Sequence, residues 1–404
     1  MNTPKWYEEA KALHEQLIAW RRDLHRHPEL GFQEHRTVGI VAEHLQHLGM
    51  EVQTGVAETG VIAILQGRED GPTIMLRFDM DALPIEEEND VPYRSEYPGV
   101  MHACGHDGHV AIGLGVATLL ARHREALPGQ VKFIFQPAEE GLGGARRMVA
   151  EGALEDPRPE MAFGLHLWNP LPVGQVVVQS GPFMAAAGRF EIEITGRGGH
   201  GAQPHLTVDA TVVAAHVITA LQTIVSRNVD PQHALVISVG ELHAGSAFNV
   251  IPGQAILRGT LRAFDTGVMH TAQVRLRALA EGVAQAFGAR ADVLTETVAP
   301  PVVNDETATR IVREAACALL SEEQVVTIDP PMVSEDVSEF LSRVPGCFFF
   351  VGSRNEARGI VYGHHHPRFD IDEDALPIGV AILAEAAVRA LTHLKRSRGA
   401  ATPS

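Results

Sequence analysis

The stretch at residues 73–78, TIMLRF, is a short and nearly unbroken apolar run, and residues 60–66 (GVIAILQ), 130–135 (QVKFIF) and 161–167 (MAFGLHL) repeat its texture. Strands buried on both faces read this way, because a parallel sheet is covered by helices on each side. Helical stretches at 109–123 and 142–151 lie between these runs. Upstream, Leu13, Leu17, Trp20 and Leu24 share one helical face, and Val38, Val41, Leu45 and Leu48 repeat the pattern until Gly49 ends it. Alternating strand and helix predicts an α/β fold: a mostly parallel sheet with helices on both faces.

From about Met184 the texture changes to alternating apolar and polar positions. Strands are expected after Arg189, Ala234, Gln254 and Ala291, with helices at 208–226 and 266–287. Strand, helix, strand, strand, helix, strand is the split βαβ order of a ferredoxin-like α+β unit. Proline-containing joints near Gly181-Pro182 and Ala299-Pro300-Pro301 bracket it, and the first texture then returns with a helix at 307–320, a strand from Cys347 and a final helix at 375–394. The expected division is residues 1–183 with 299–404 as one domain and 184–298 as a second, inserted one.

The 404 residues carry 33 basic and 50 acidic side chains, a formal charge of -17 with 45% apolar content. A large core is affordable at this length. Nucleic acid and anionic membrane are disfavoured as partners, since both need clustered Lys and Arg. The first residues lack an apolar signal core, and residues 110–121, the best candidate for a membrane span, are too short. Cys104, Cys317 and Cys347 are too few for a disulfide framework, so a reducing, cytoplasmic setting is expected.

Potential metal ligands recur where the apolar runs stop: Cys104, His106 and Asp107 in MHACGHDGH, Glu139 and Glu140 in FQPAEEG, His166 in GLHLW, and His364, His365 and His366 before Pro367. The carboxyl ends of parallel strands are where such sheets present loops to a ligand. Thiolate, imidazole and carboxylate together suit zinc-like ions, and two adjacent glutamates can divide the work between ligand and proton carrier. Taken singly, each cluster has a plainer reading: a buried free cysteine, a solvated acidic pair, a core histidine, an incidental histidine run. Their order along one sheet is what favours a metallohydrolase. Gly105 and Gly108 ease the tight turns of a ligand loop, and Asp107 is placed to cap the helix that follows. Asp79 and Asp81, at a strand exit, suit a carboxylate that orients a ligand imidazole. The segment from Gly196 to Gly201 fits G-x-G-x-x-G, but Pro204 intervenes before the helix and no acidic residue lies about twenty positions on. Neither a zincin motif nor G-x-S-x-G occurs.

These clusters, with DMDALP, GRGGHGAQPH, NVIPG and HHPRFDIDE in order, resemble the M20 metallopeptidase superfamily, and more closely its amidohydrolase branch of hippurate, N-acyl amino acid and auxin-conjugate hydrolases. The resemblance spans nearly the whole chain. It implies a catalytic α/β domain with an inserted lid and dimerisation domain, and two divalent ions per subunit (Zn, Mn, Co or Ni). By motif, Cys104 is the bridging thiolate, His106 and His166 complete one metal position, and Glu140 with His365 complete the other. The family pattern His-any-Pro favours His365 over His366. Glu139 matches the general base, Asp81 its supporting carboxylate, and His200 a histidine that reaches the substrate carbonyl across a homodimer. Asn249 and Arg262 are similar in placement to residues that hold the substrate carboxylate. The implied substrate is a small N-acyl amino acid. An aminopeptidase or dipeptidase, and a non-catalytic metal sensor, are the alternatives.

Overall fold

The computed structural model describes residues 5–400. Two compact units emerge: one takes the chain up to Gly181, Val303–Asp329 and everything from Glu339 on, and the other takes Pro182–Val302 with Pro330–Ser338.

In the first unit, helices α1 (Trp6–Ala12), α2 (His14–Arg26) and α3 (His35–His47) precede strands β1 (Glu51–Val56), β2 (Gly60–Gln66) and β3 (Thr73–Asp79). Helix α4 (His106–Arg122), β4 (Gln130–Gln136) and β5 (Met161–Pro172) follow, and the chain later returns as the strand Gly346–Arg354 and the helix Ala375–Ala400. One eight-stranded sheet results. Its centre is parallel: β3 pairs with β4 on one side and with β5 on the other, and Gly346–Arg354 continues parallel beyond β5. The antiparallel β1 and β2 finish one edge. Three of the apolar runs read from sequence are the central strands β3, β4 and β5, and the run at 60–66 is instead the antiparallel β2. Every residue of β3 is buried, and Phe78, Phe133, Phe135, Phe163, Phe348, Phe349 and Phe350 are nearly inaccessible. Each such side chain contributes about 1.5–3 kcal/mol relative to exposure.

Helix α4 is buried from His106 through Leu120 and packs against α2, β3 and the helix Ala375–Ala400. A helix apolar on all sides is an interior helix. Its approach to the sheet needs Gly108, where a Cβ would come within 2.4 Å of Leu167 Cδ1. The left-handed turn is at Gly105, with φ +88, which glycine adopts without strain. The two glycines therefore serve different ends, a close approach at Gly108 and a left-handed turn at Gly105.

Because β3, β4, β5 and Gly346–Arg354 run in one direction, their carboxyl ends share an edge of the sheet. The chain leaves β3 toward β4 on one side and then crosses to β5 on the other, which opens a crevice at that edge. Asp79, Asp81, Glu139 and Glu140 lie at or just past these ends, and His166 lies within β5.

Two helices are long and apolar enough to cross a membrane by length and composition: Ala210–Asn228 and Ala375–Gly399. The best candidate read from sequence, residues 110–121, is thus superseded. In the second of these helices 78% of the apolar window is buried inside the protein, as in the core helix of a globular unit.

The second unit is a four-stranded antiparallel sheet in the order Leu235–Ala244, Gln254–Ala263, Ala186–Thr195, Arg290–Ala299. Helices Ala210–Thr223 and Thr266–Ala286 join its halves, starting at Asp209 and Asp265, whose carboxylates accept from backbone N–H groups of the first turn. This is the ferredoxin-like α+β order, with its own core around Phe190, Ile192, Val217, Leu257 and Leu276.

Candidate metal centre

Cys104 and His106 flank Gly105, whose left-handed φ turns the chain into α4. His106 Nδ1 donates to the Asp81 carbonyl at 2.8 Å, which leaves Nε2 as a buried nitrogen without a hydrogen-bond partner. From β5, His166 Nδ1 donates to the Leu167 carbonyl at 2.7 Å, so its Nε2 lone pair faces Cys104 Sγ at 3.5 Å. In both imidazoles the backbone fixes the tautomer that leaves Nε2 free to bind a metal. The ligand atoms of Cys104, His106 and His166 all lie within 4.8 Å of one another, and all three residues are buried.

The glutamate pair is held differently. Ala138, at φ 53, donates its N–H to Glu34 Oε1 at 2.9 Å, and this left-handed residue turns the next two N–H groups toward one acceptor. Glu139 N–H and Glu140 N–H each reach a separate oxygen of Asp81 at 3.0 Å. Asp81 thus binds both glutamate backbones while its carbonyl orients His106. Glu140 Oε1 then lies 3.2 Å from His365 Nε2. Cys104, Glu140 and His365 form another group within the 4.8 Å limit, as do His106, Glu139 and Glu140. Cys104 belongs to two groups, the placement a shared thiolate needs.

A second fully buried grouping, Asp79 with His106 and His109, is of another kind. His109 Nδ1 bonds Asp79 Oδ1, and its Nε2 accepts the Leu167 N–H at 2.9 Å, so both nitrogens are already used. His109 braces α4 against β3 and β5 beside the ligands.

The electrostatics ask for cations. Burial, with Glu140, Glu139 and Asp79 nearby, pushes the Cys104 thiol well above its ordinary range. Burial alone would lower His106, but Asp79 and Asp81 outweigh it and raise the imidazole to about 10. Burial, then His109 and His364, push His166 well below its usual value, which keeps it neutral. The hydrogen bond to Glu140 raises His365. A buried thiol kept protonated among carboxylates, beside a neutral His166 imidazole and a protonated His106, is a donor set that a divalent cation would deprotonate and bind. The residues fit the group.

Asp107 does not cap α4. It sits in the first turn, fully buried, with Oδ2 accepting from Arg21 Nε at 2.8 Å and His25 Nδ1 at 2.7 Å. The helix start is Gly105, so the carboxylate is free to pair with α2. Arg21 also reaches Asp370 at 2.7 Å and Glu373 at 3.4 Å, and His25 reaches Glu87. Arg21, His25, His109, Glu34 and Asn169 are the residues that sequence reasoning missed. For two of them a signal existed: Arg21 and His25 occupy the phase of the buried Leu17 and Leu24, where a polar residue must have buried partners.

In the second unit, Gly199–His200 pairs with Val250–Ile251, and Gly201 N–H bonds the Asn249 carbonyl at 2.9 Å, so His200 and Asn249 are neighbours in one ribbon. His200 Nδ1 accepts from Ala202 N–H at 3.0 Å, leaving Nε2–H as an exposed donor. Arg262 lies outside that ribbon, on Gln254–Ala263 opposite Ala187 and Val236.

Such a sheet edge and donor set suit a divalent cation. Residues 75–389 match the family described as Peptidase family M20/M25/M40, and the chain belongs to this family. N-acetyl-L-cysteine deacetylase of Bacillus subtilis is 40% identical over 386 residues, covering 96% of this chain and 91% of the relative. IAA-amino acid hydrolase ILR1-like 4 of Arabidopsis thaliana is 40% identical over 385 residues, with 94% and 87% covered. A solved Bacillus subtilis structure described as a dinuclear metal binding peptidase from the M20 family superposes with a TM-score of 0.83 at 39% identity, covering 95% of this chain and 99% of that one. An amide-cleaving hydrolase that uses divalent metal is the activity class these likenesses support.

Proposed function

We propose that the protein hydrolyses the amide bond of N-acyl amino acids, using two divalent ions. Cys104, His106 and His166 would hold one ion, and Cys104, Glu140 and His365 the other. The observation that carries this reading is the double use of Asp81: one carboxylate fixes the backbones of Glu139 and Glu140 together, which sets two adjacent carboxylates beside the cluster, one for a ligand role and one for a base. Bound ions of this kind supply Lewis acidity, lowering the pKa of water to about 7 and offsetting charge on the carbonyl oxygen.

The Glu139 carboxylate takes a proton from water as its oxygen adds to the amide carbon. It returns that proton to the departing nitrogen as the C–N bond breaks, leaving a carboxylic acid and a free amino acid. Such a role contributes about 10² to 10⁴ in rate. His200 Nε2–H donates to the carbonyl oxygen as charge develops, acting within a dimer formed through the second unit. Asn249 and Arg262 take the substrate carboxylate.

Relatives described as an N-acetyl-L-cysteine deacetylase and an IAA-amino acid hydrolase favour an N-acyl amino acid, and the neighbour described as a peptidase favours a peptide bond. Release of free amino acid from N-acetyl, N-benzoyl and dipeptide substrates, after loading with Zn²⁺, Mn²⁺, Co²⁺ or Ni²⁺, separates them. Turnover of acyl amino acids supports the proposal. Turnover of dipeptides alone replaces it with a dipeptidase, and metal binding without turnover of any substrate favours a sensor.

A further inference from the structure

His365 reaches Glu140 from a loop of residues 362–370, and it does so at φ 64, a conformation that a residue with a side chain adopts at a cost and keeps only where the surroundings enforce it. Arg21 and Tyr93 hold the Asp370 carboxylate at one end of this loop, and one side chain on another element reaches both ends. Asn169, buried on β5, donates from Nδ2 to the Tyr362 carbonyl at 2.8 Å and to the Asp370 carbonyl at 2.7 Å. Both protons of the amide are used, one at each end. Its orientation is set by chemistry: the two carbonyls can only accept, and on the other side the Ser353 hydroxyl donates to Oδ1 at 2.5 Å. Ser353 is buried where the ladder between β5 and Gly346–Arg354 slips register, which turns it out of the pairing.

The middle of the loop is tied to the same region. His365 N–H bonds the carbonyl of Ala103, next to Cys104, at 2.8 Å, and Glu88 N–H bonds the Pro367 carbonyl at 2.9 Å. Asn169 stands three residues beyond His166, so the strand that carries a ligand of one metal group also clamps the loop that carries a ligand of the other.

We infer that Asn169 is a positioning residue for His365, and that its two hydrogen bonds set the affinity of the Cys104/Glu140/His365 group for its cation without touching that cation. The inference rests on the two-ion reading above. No other common side chain does this job from the same place: aspartate has the shape but turns acceptors toward two carbonyls, and serine has a single proton for two partners. Packing of the loop is separable, because His364 stacks on Trp168 at 4.8 Å whatever the residue at 169 donates. An isosteric change therefore removes the hydrogen bonds and keeps the volume.

The test counts ions. Wild type, Asn169→Asp and Ser353→Ala are purified metal-free, matched by circular dichroism and titrated calorimetrically with Zn²⁺ and with Mn²⁺, with elemental analysis after dialysis. Wild type takes up two ions per chain. Asn169→Asp keeps one and binds the second about 10- to 100-fold more weakly, the usual consequence of losing a partner that orients a ligand. Ser353→Ala, which leaves the amide donors and removes their anchor, weakens the second ion by a smaller factor and leaves the first unchanged. Equal loss of both ions in Asn169→Asp would reduce the residue to a general structural role and overturn the inference, as would wild-type binding of both. Should Asn169→Asp fail to fold, Ser353→Ala decides alone, and unchanged binding of its second ion overturns the inference. A wild-type chain that binds fewer than two ions instead defeats the two-ion reading itself.

Discussion

The two halves of the ligand cluster are built to different standards. Cys104, His106 and His166 are buried, and backbone carbonyls fix both imidazoles from behind. His365, by contrast, is 53% exposed in its side chain and meets Glu140 from a loop after the last strand of the sheet. The first half is therefore a property of the sheet and of α4, while the second depends on how a loop is held. The difference teaches where sensitivity should lie: changes near the first half act through the fold, and changes near the second act through one ligand.

The largest effect is expected at the sulfur that both halves share. Cys104→Ala should bring bound metal close to zero by elemental analysis and abolish amide hydrolysis, whereas retention of one firmly bound ion would show that the halves do not share it. Next comes Glu139→Gln. It should lower kcat by about 10² to 10⁴ with metal content unchanged, since the amide neither takes a proton from water nor occupies a ligand position. A parallel loss of metal would make Glu139 a ligand and reverse the two glutamate roles.

Stability separates the halves further. Arg21 lies fully buried between Asp107, next to His106, Asp370, at the end of the His365 loop, and Glu373, so it ties both halves to α2. Arg21→Met strands these carboxylates, and urea unfolding should show a loss of about 3–5 kcal/mol. A loss below about 1 kcal/mol would mean that the carboxylates find water or other partners. As a comparison at the surface, the exposed pair Arg310 and Glu314 on one helix should contribute little, and Arg310→Ala should change stability by roughly 0.5 kcal/mol or less.

The same contrast explains what could be read from the chain. The parallel sheet was legible because β3, β4 and β5 are buried on both faces and so appear as unbroken apolar runs, and the second unit was legible because its sheet alternates. The side chains that cluster were legible because Cys, His and paired Glu, types able to bind a metal, fall within or after the central strands. What surrounds them was not. Asn169 acts on carbonyls 193 and 201 positions away, and a carbonyl leaves no trace in a sequence. Asp107 stood where a cap is expected, and its true partners, Arg21 and His25, come from a helix more than eighty residues earlier. The apolar helix Ala375–Ala400 was read six residues short, because its polar end carries no periodic signal.

The most direct test is a crystal structure of the chain grown with Mn²⁺ or Zn²⁺, with ions located by anomalous scattering. Two peaks are predicted, one touching Cys104 Sγ, His106 Nε2 and His166 Nε2, the other touching the same sulfur with Glu140 and His365. A lone peak between Asp79, His106 and His109, or two peaks with Cys104 Sγ turned away from both, would contradict the account.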